Sequence, residues 1–77
     1  MKTVQIFLNS IDKVKSFVND ISKFDYDFDL VSGRYVVDAK SIMGIFSMDL
    51  SKDVELRILE TNEEIAEIEK AIAPYLI

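Results

Sequence analysis

The sequence predicts an α+β fold in which helices cover one face of a four-stranded antiparallel sheet, in the order β-α-β-β-α-β-α. Three short segments alternate apolar and polar residues, as strands do when one face meets water, and a fourth is rich in β-forming residues. Two longer segments place apolar residues three and four positions apart, as amphipathic helices do. Only two glycines and one proline interrupt the 77 residues. We therefore expect residues 1–77 to form a single open-faced β-sandwich domain.

The spacing of apolar residues changes from every second residue to every third or fourth, which predicts a first strand followed by a first helix. Residues 3–8 alternate and predict a strand. Ser10 is a good N-cap and Asp12 suits the first turn of a helix, so a helix is expected from residue 11 to about residue 23. The predicted apolar stripe of this helix is Ile11, Val14, Phe17, Val18, Ile21 and Phe24.

A hairpin and a short helix are predicted next. Residues 25–30 alternate carboxylates with apolar residues, which predicts a strand whose outer face meets water. Gly33 allows a turn with positive φ, and residues 34–39 continue as the second strand. Residues 41–48 predict a short helix capped by Ser41, although Gly44 and the β-branched isoleucines lower its helix propensity.

The last strand and helix close the predicted fold. Residues 54–58 alternate, which predicts a strand. Thr61 and Glu64 have the spacing of a capping box, so they are expected to begin the final helix. Pro74 is expected to weaken or end that helix. Its predicted buried stripe is Ile65, Ile68, Ala71 and Ile72.

Composition excludes several classes of function. The chain has no histidine and no cysteine, which rules out catalysis, thiolate zinc binding or disulfides through those residues. Its formal net charge of −5 disfavours nucleic acid and anionic membranes, and no apolar run approaches the length of a membrane helix. We expect a cytoplasmic protein without a cofactor. A solvated strand face and a helix N-terminus explain the acidic rows better than a metal site does: Asp25, Asp27, Asp29, Glu63 and Glu64.

Two stretches carry a resemblance to a known family. The segments Ser-Lys-Phe-Asp at residues 22–25 and Lys-Ser-Ile-Met-Gly-Ile-Phe-Ser at residues 40–47 resemble HPr, the histidine-containing phosphocarrier protein of the bacterial sugar phosphotransferase system. The second stretch is the more specific. The resemblance covers nearly the whole chain, with small length changes before Ser10, near Gly33 and before the last helix. It implies the same order of elements.

The sequence departs from the family where the family does its chemistry. HPr proteins carry a Gly-Ile-His-Ala-Arg-Pro-like motif at the start of the first helix, and its histidine accepts phosphate from Enzyme I. Counted back without a gap from Ser22, the histidine position falls on Ser10, the arginine on Asp12 and the proline on Lys13. A serine would give a stable phosphate ester, and Asp12 would repel phosphate. We predict that the chain is not a histidine phosphocarrier.

Ser41 matches a regulatory position of the family. In Gram-positive members this serine is phosphorylated by HPr kinase, so the resemblance makes Ser41 a candidate phosphosite. The alternative is that Ser41 persists only as a helix cap, because loss of an N-cap costs about 1 kcal/mol. The residues alone leave both interpretations open.

The resemblance also implies a surface for protein partners. Ile42, Met43 and Phe46 match the apolar patch by which the family docks its partners, and Ile11 is a candidate to extend it. The alternative is that these side chains are core. We expect Met43 and Phe46 to be exposed, because a small sandwich offers too few core positions for all of them. For Val14 the helical spacing favours burial.

The leading hypothesis is an HPr-like, non-catalytic binding or regulatory module whose protein partners belong to the phosphotransferase system or to catabolite regulation, including an HPr kinase-like enzyme. One alternative is a structural domain that self-associates through residues 42–46 and has no link to sugar transport. A hydrolase using Asp12 or Asp27 is a weaker alternative, because the sequence shows no paired carboxylates in distinct environments.

Overall fold

A computed structural model describes residues 2–59 and 65–77. Within these residues the strands are β1 (Lys2–Ile6), β2 (Phe28–Ser32), β3 (Tyr35–Asp38) and β4 (Val54–Ile58). The helices are α1 (Ile11–Ile21), α2 (Ile42–Phe46) and α3 (Ile65–Ile72), and a 3₁₀ turn follows over Ala73–Tyr75. The predicted order β-α-β-β-α-β-α is therefore confirmed.

All four strands join one antiparallel sheet in the order β1-β4-β2-β3. Leu56 in β4 lies opposite both Val4 of β1 and Leu30 of β2, so β4 and β2 are the central strands. Beyond β1, the backbone N–H of Phe7 donates to the carbonyl of Tyr75 at 2.9 Å. The end of the chain therefore lies along the outer edge of β1, whereas β3 forms the opposite edge.

The core lies between one face of the sheet and the helices. Phe28 and Leu30 of β2 and the even-numbered positions of β4, such as Leu56, are buried because the side chains of a strand alternate between its two faces. On the outer face Arg57 is half-buried and donates from Nε to Glu55 at 2.6 Å. The fully buried helical side chains are Val14, Phe17, Ile21, Ile45 and Ile72, with Ile68 almost so.

An aromatic pair ties α1 to the end of the chain. The rings of Phe17 and Tyr75 meet edge to face, with centroids 5.4 Å apart and planes at 83°. The Tyr75 hydroxyl donates to Asp20 Oδ2 at 2.8 Å. Burial and then this bond to the carboxylate raise the pKa of Tyr75 to about 12, because both disfavour the phenolate.

The limits of three predicted strands were wrong, although β3 (Tyr35–Asp38) is only one residue shorter at each end than predicted. The first strand was expected to reach Leu8 but ends at Ile6, which lies opposite Val54, the first residue of β4. The second strand was expected over residues 25–30 but spans Phe28–Ser32, because Phe28 already lies opposite Ile58, the last residue of β4. Strand limits are set by where the neighbouring strand ends, and alternation within one segment does not reveal that.

The acidic positions lie outward as predicted, although two of them precede the strand. Asp25 and Asp27 are exposed in the segment before β2, and Asp29 is half-buried within β2. Gly33 adopts the positive φ expected of the hairpin turn, at 58°. Ser32 and Tyr35 flank this turn as cross-strand partners.

Helix α1 is two residues shorter than predicted. It ends at Ile21 because Ser22 is its C-cap, with a hydroxyl that donates to the carbonyl of Val18 at 2.6 Å. Phe24 therefore lies beyond the helix, half-buried against the core. Val14 is fully buried, as its spacing favoured, whereas Ile11 is exposed.

The two remaining helices follow their predicted limits closely. Helix α2 spans five residues after its Ser41 cap, within the predicted residues 41–48. Helix α3 ends at Ile72, and Pro74 lies in the 3₁₀ turn that follows, as expected. The predicted capping box of Thr61 and Glu64, together with Glu63, lies outside the described residues.

Candidate functional site

Ser10 begins α1 and uses its hydroxyl as a helix cap. The residue is extended, with φ −150° and ψ 158°, and Oγ accepts the backbone N–H of Lys13 at 3.1 Å. Its carbonyl accepts the backbone N–H of Val14 at 3.1 Å. The side chain at the predicted phosphohistidine position therefore satisfies a free donor of the helix, in the ordinary manner of an N-cap serine.

The residues at the predicted arginine and proline positions, Asp12 and Lys13, lie at the start of α1. Asp12 lies in the first turn of α1 and is exposed, as is Lys13. A phosphoryl group in transfer needs cationic or N–H donors aimed at its oxygens. Asp12 contributes a carboxylate instead, and the cap bond already uses the N–H of Lys13.

Ser41 caps α2 in the same way. It is extended, with φ −99° and ψ 108°, and Oγ accepts the backbone N–H of Gly44 at 3.1 Å. The carbonyl of Ser41 accepts the N–H of Ile45, and its own N–H donates to the carbonyl of Asp38, both at 3.0 Å. Ser41 is half-buried, and its hydroxyl, carbonyl and N–H each make a hydrogen bond, so the position of the hydroxyl is well defined.

Gly44 makes room for this cap. A Cβ atom added there would lie 3.3 Å from both Ser41 Oγ and Val37 Cβ. These contacts are tighter than normal van der Waals packing, so a side chain at position 44 would press on the cap and on β3. The glycine that lowers the helix propensity of this segment thus permits its close packing.

Lys40 anchors the segment that precedes α2, a role that the sequence analysis missed. Its Nζ donates to the carbonyl of Phe24 at 2.6 Å and lies 5.5 Å from the centre of the Phe28 ring. Its backbone N–H donates to Asp38 Oδ1 at 2.9 Å. Lys40 and Phe24 are 16 residues apart in the sequence, so patterns among neighbouring residues do not predict this contact.

Helix α2 divides its apolar residues between core and surface. Ile45 is fully buried and packs inward, and Met48 beyond the helix is 7% exposed. Met43 is 80% exposed and Phe46 is 41% exposed, as predicted, while Ile42 is at 37%. On α1, which contacts α2, Ile11 is 61% exposed. We call Ile11, Ile42, Met43 and Phe46 the helix patch; its role in binding remains a prediction.

Two surface cavities lie away from Ser10 and α2. One of about 430 Å³ lies between α1 and α3, beside Asp20, Lys23 and Lys70. Another of about 560 Å³ lies beside the β2–β3 turn. Neither is lined by Asp12 or Asp27, the carboxylates of the hydrolase alternative. Among residues 2–59 and 65–77, no helix is long and apolar enough to cross a bilayer.

Comparison with known proteins agrees with this architecture. A family model described as "PTS HPr component phosphorylation site" matches residues 13–76. The crystal structure of HPr-C-His from Thermoanaerobacter tengcongensis is similar, with a TM-score of 0.76 and 32% identity over 96% of this chain and 89% of that chain. The phosphocarrier protein HPr from Bacillus anthracis str. Ames has a TM-score of 0.63 and 26% identity, over 99% and 94% respectively. Comparison with curated proteins finds no match.

Proposed function

This chain belongs to the HPr family of the phosphotransferase system, and we propose that within it the chain is a non-catalytic binding module that carries no phosphohistidine. It acts in the cytoplasm on protein partners of the phosphotransferase system or of catabolite regulation. The helix patch is its docking surface, and phosphorylation of Ser41 switches it.

The observation that carries this proposal is the replacement of the nucleophile and of the clamp together. The chain contains no histidine, and Ser10 is predicted to occupy the position of the phosphorylated side chain. Ser10 Oγ accepts a hydrogen bond that caps α1. A phosphoserine there would be a stable ester, which could not pass its phosphoryl group onward as a phosphoimidazole does.

The position of Ser41 supports the switch. A phosphate there adds a charge of about −1.5 to −2 to a residue adjoining the exposed side chains of α2. The free N–H groups at the start of the helix tolerate that charge, so the fold is expected to survive. An apolar docking surface that gains a dianion admits some partners and excludes others.

Loss of carrier activity is tested with phosphoenolpyruvate and Enzyme I. We expect no label on this chain from ³²P-phosphoenolpyruvate, while a histidine-containing HPr in the same tube becomes labelled and confirms that Enzyme I is active. Label that is transferred to a sugar-specific component would refute the proposal. Label that stays on a serine and is stable to acid would refute only the expectation that Enzyme I does not phosphorylate this chain.

The switch is tested with ATP and HPr kinase. Intact mass spectrometry is expected to show one added phosphate on the natural chain and none on Ser41→Ala. Ser47→Ala, which removes the exposed serine at the other end of α2, is the matched control and should still be modified. A natural chain without phosphate, or a phosphate retained by Ser41→Ala, would remove Ser41 as the switch.

The docking surface is tested by charge insertion. Met43→Lys should weaken binding to HPr kinase about tenfold or more, because a hot-spot side chain contributes at least that much. Leu59→Lys is the control, since Leu59 is a 39% exposed apolar residue outside the helix patch. Equal affinities of the natural chain and Met43→Lys would show that docking does not involve α2.

A further inference from the structure

We infer that the free edge of β3 pairs with β3 of a second copy, joining two four-stranded sheets into one continuous antiparallel sheet. This association uses neither the helix patch nor the Ser10 position, so it is independent of the proposed function.

The edge of β3 presents unpaired backbone groups. The N–H of Ala39 donates to the carbonyl of Phe28 at 2.9 Å, which identifies that pair as a hydrogen-bonded one. Bonded and non-bonded pairs alternate along an antiparallel ladder, so Val36 and Asp38 direct their backbone groups away from β2. Within the described residues no strand lies on that side of β3, so Val36 has no ladder partner there, whereas the carbonyl of Asp38 accepts the N–H of Ser41. The N–H groups of Val36 and Asp38 and the carbonyl of Val36 therefore remain available to a second strand.

The edge strand β3 carries more exposed apolar side chains than edge strands usually do. Tyr35 is 65% exposed and Val36 is 56% exposed. Natural edge strands are protected by charges, prolines, bulges or covering segments, since an apolar edge pairs with other strands. The end of the chain covers part of the β1 edge, but within the described residues no segment pairs with the outer side of β3.

The pattern of residues 34–38 is complementary to itself in one register. With Val36 opposite Val36 of the second copy, Arg34 lies opposite Asp38 and Asp38 lies opposite Arg34. On the other face, Tyr35 lies opposite Val37, an aromatic and β-branched pair of the kind that stabilises sheets. A shift that centres the pair on Asp38 would oppose two carboxylates. A register centred on Val37 would place Asp38 opposite Val36, so neither Asp38 nor Arg34 would face a residue of opposite charge.

Two copies with a net charge of −5 repel each other, but the exposed charges at this edge can attract locally. Arg34 is exposed and makes no ion pair with any described residue, and Asp38 is also exposed. The strand has only four residues, so the buried area is that of a weak, concentration-dependent dimer.

Sedimentation velocity on the natural chain, from micromolar to millimolar concentration, should show a monomer–dimer equilibrium. Arg34→Glu and Asp38→Lys should each weaken it about tenfold or more, because each change places two like-charge pairs across the two-fold axis. An equimolar mixture of the two variants should recover association, since both charge pairs are then complementary again. Lys52→Glu, an exposed charge change outside the strand, is the control.

Three results would overturn the inference: a natural chain that stays monomeric at millimolar concentration, variants that associate as well as the natural chain, or a mixture that recovers nothing. A dimer abolished by Met43→Lys but unaffected by Arg34→Glu would assign self-association to the helix patch instead. Thermal unfolding of each variant shows whether a loss of association is a loss of folding.

Discussion

Replacing Ser41 by alanine separates its structural role from its proposed regulatory role. The Ser41 hydroxyl accepts the N–H of Gly44 at 3.1 Å, and alanine would leave that donor without its protein acceptor. Removing an N-cap serine costs about 0.5–2 kcal/mol of stability, and typically ~1 kcal/mol. Because Ser41 is half-buried, water replaces the lost acceptor poorly, so we expect a cost of ~1–2 kcal/mol.

Ser10 provides an internal comparison. Its cap bond to Lys13 has the same length, 3.1 Å, but Ser10 is exposed and water reaches the freed N–H. Ser10→Ala is therefore expected to cost less, about 0.5–1 kcal/mol. For a domain of this size each kcal/mol lowers the Tm by about 4–8 °C, so both effects are measurable.

The assay is urea unfolding followed by far-ultraviolet circular dichroism, with Ser41→Asp as the matched control. Aspartate caps a helix as well as serine does and its charge is favourable at a helix N-terminus, so its stability should stay within about 0.5 kcal/mol of the natural chain. A Ser41→Ala loss below about 0.3 kcal/mol would refute the capping argument. An equal loss in Ser41→Asp would show that the hydroxyl itself, rather than an acceptor, is required.

Three further predictions concern the core and the surface. Phe17→Leu should lower the free energy of unfolding by about 1–2 kcal/mol in urea titration, because it leaves a void and removes the edge-to-face contact with Tyr75; no change would contradict that contact. Stability should fall as pH rises from 10.0 towards about 12, since the unfolded chain releases the Tyr75 proton first, and Tyr75→Phe should remove that component of the slope. Ile45→Ala should cost about 2–5 kcal/mol and Met43→Ala less than about 0.5 kcal/mol in the same titration, because Ile45 is fully buried and Met43 is not; similar costs would refute the assignment of their faces.

Much of the fold could be predicted from short-range patterns. Alternation located β4 at its observed limits, and the three-and-four spacing located the buried stripe Val14, Phe17, Val18 and Ile21. Both serine caps were predicted because capping depends on a side chain and a backbone N–H three residues away. These features depend on neighbours along the chain, which the sequence displays directly.

The misplaced limits of β1 and β2 have a different origin. Residues 25–27 alternate like a strand, yet the ladder between β2 and β4 ends at the pair of Phe28 and Ile58. Beyond that pair a single backbone bond is described, from the N–H of Leu59 to the carbonyl of Asp27 at 3.0 Å. Leu8 is buried as its pattern suggested, although it lies after the end of β1. The hydrophobicity of Leu8 predicted its burial, whereas membership of β1 required a pairing partner in β4.

By itself, the sequence determined the order of elements, the caps at Ser10 and Ser41, and the absence of imidazole from the chain. Only the tertiary structure decided that Lys40 reaches the carbonyl of Phe24, that Gly44 packs on Val37, and that β3 presents an open edge. Periodicity, caps and composition are local properties of the chain. Exposure and pairing instead depend on which distant segments share space, and that is established only when the whole sheet is assembled.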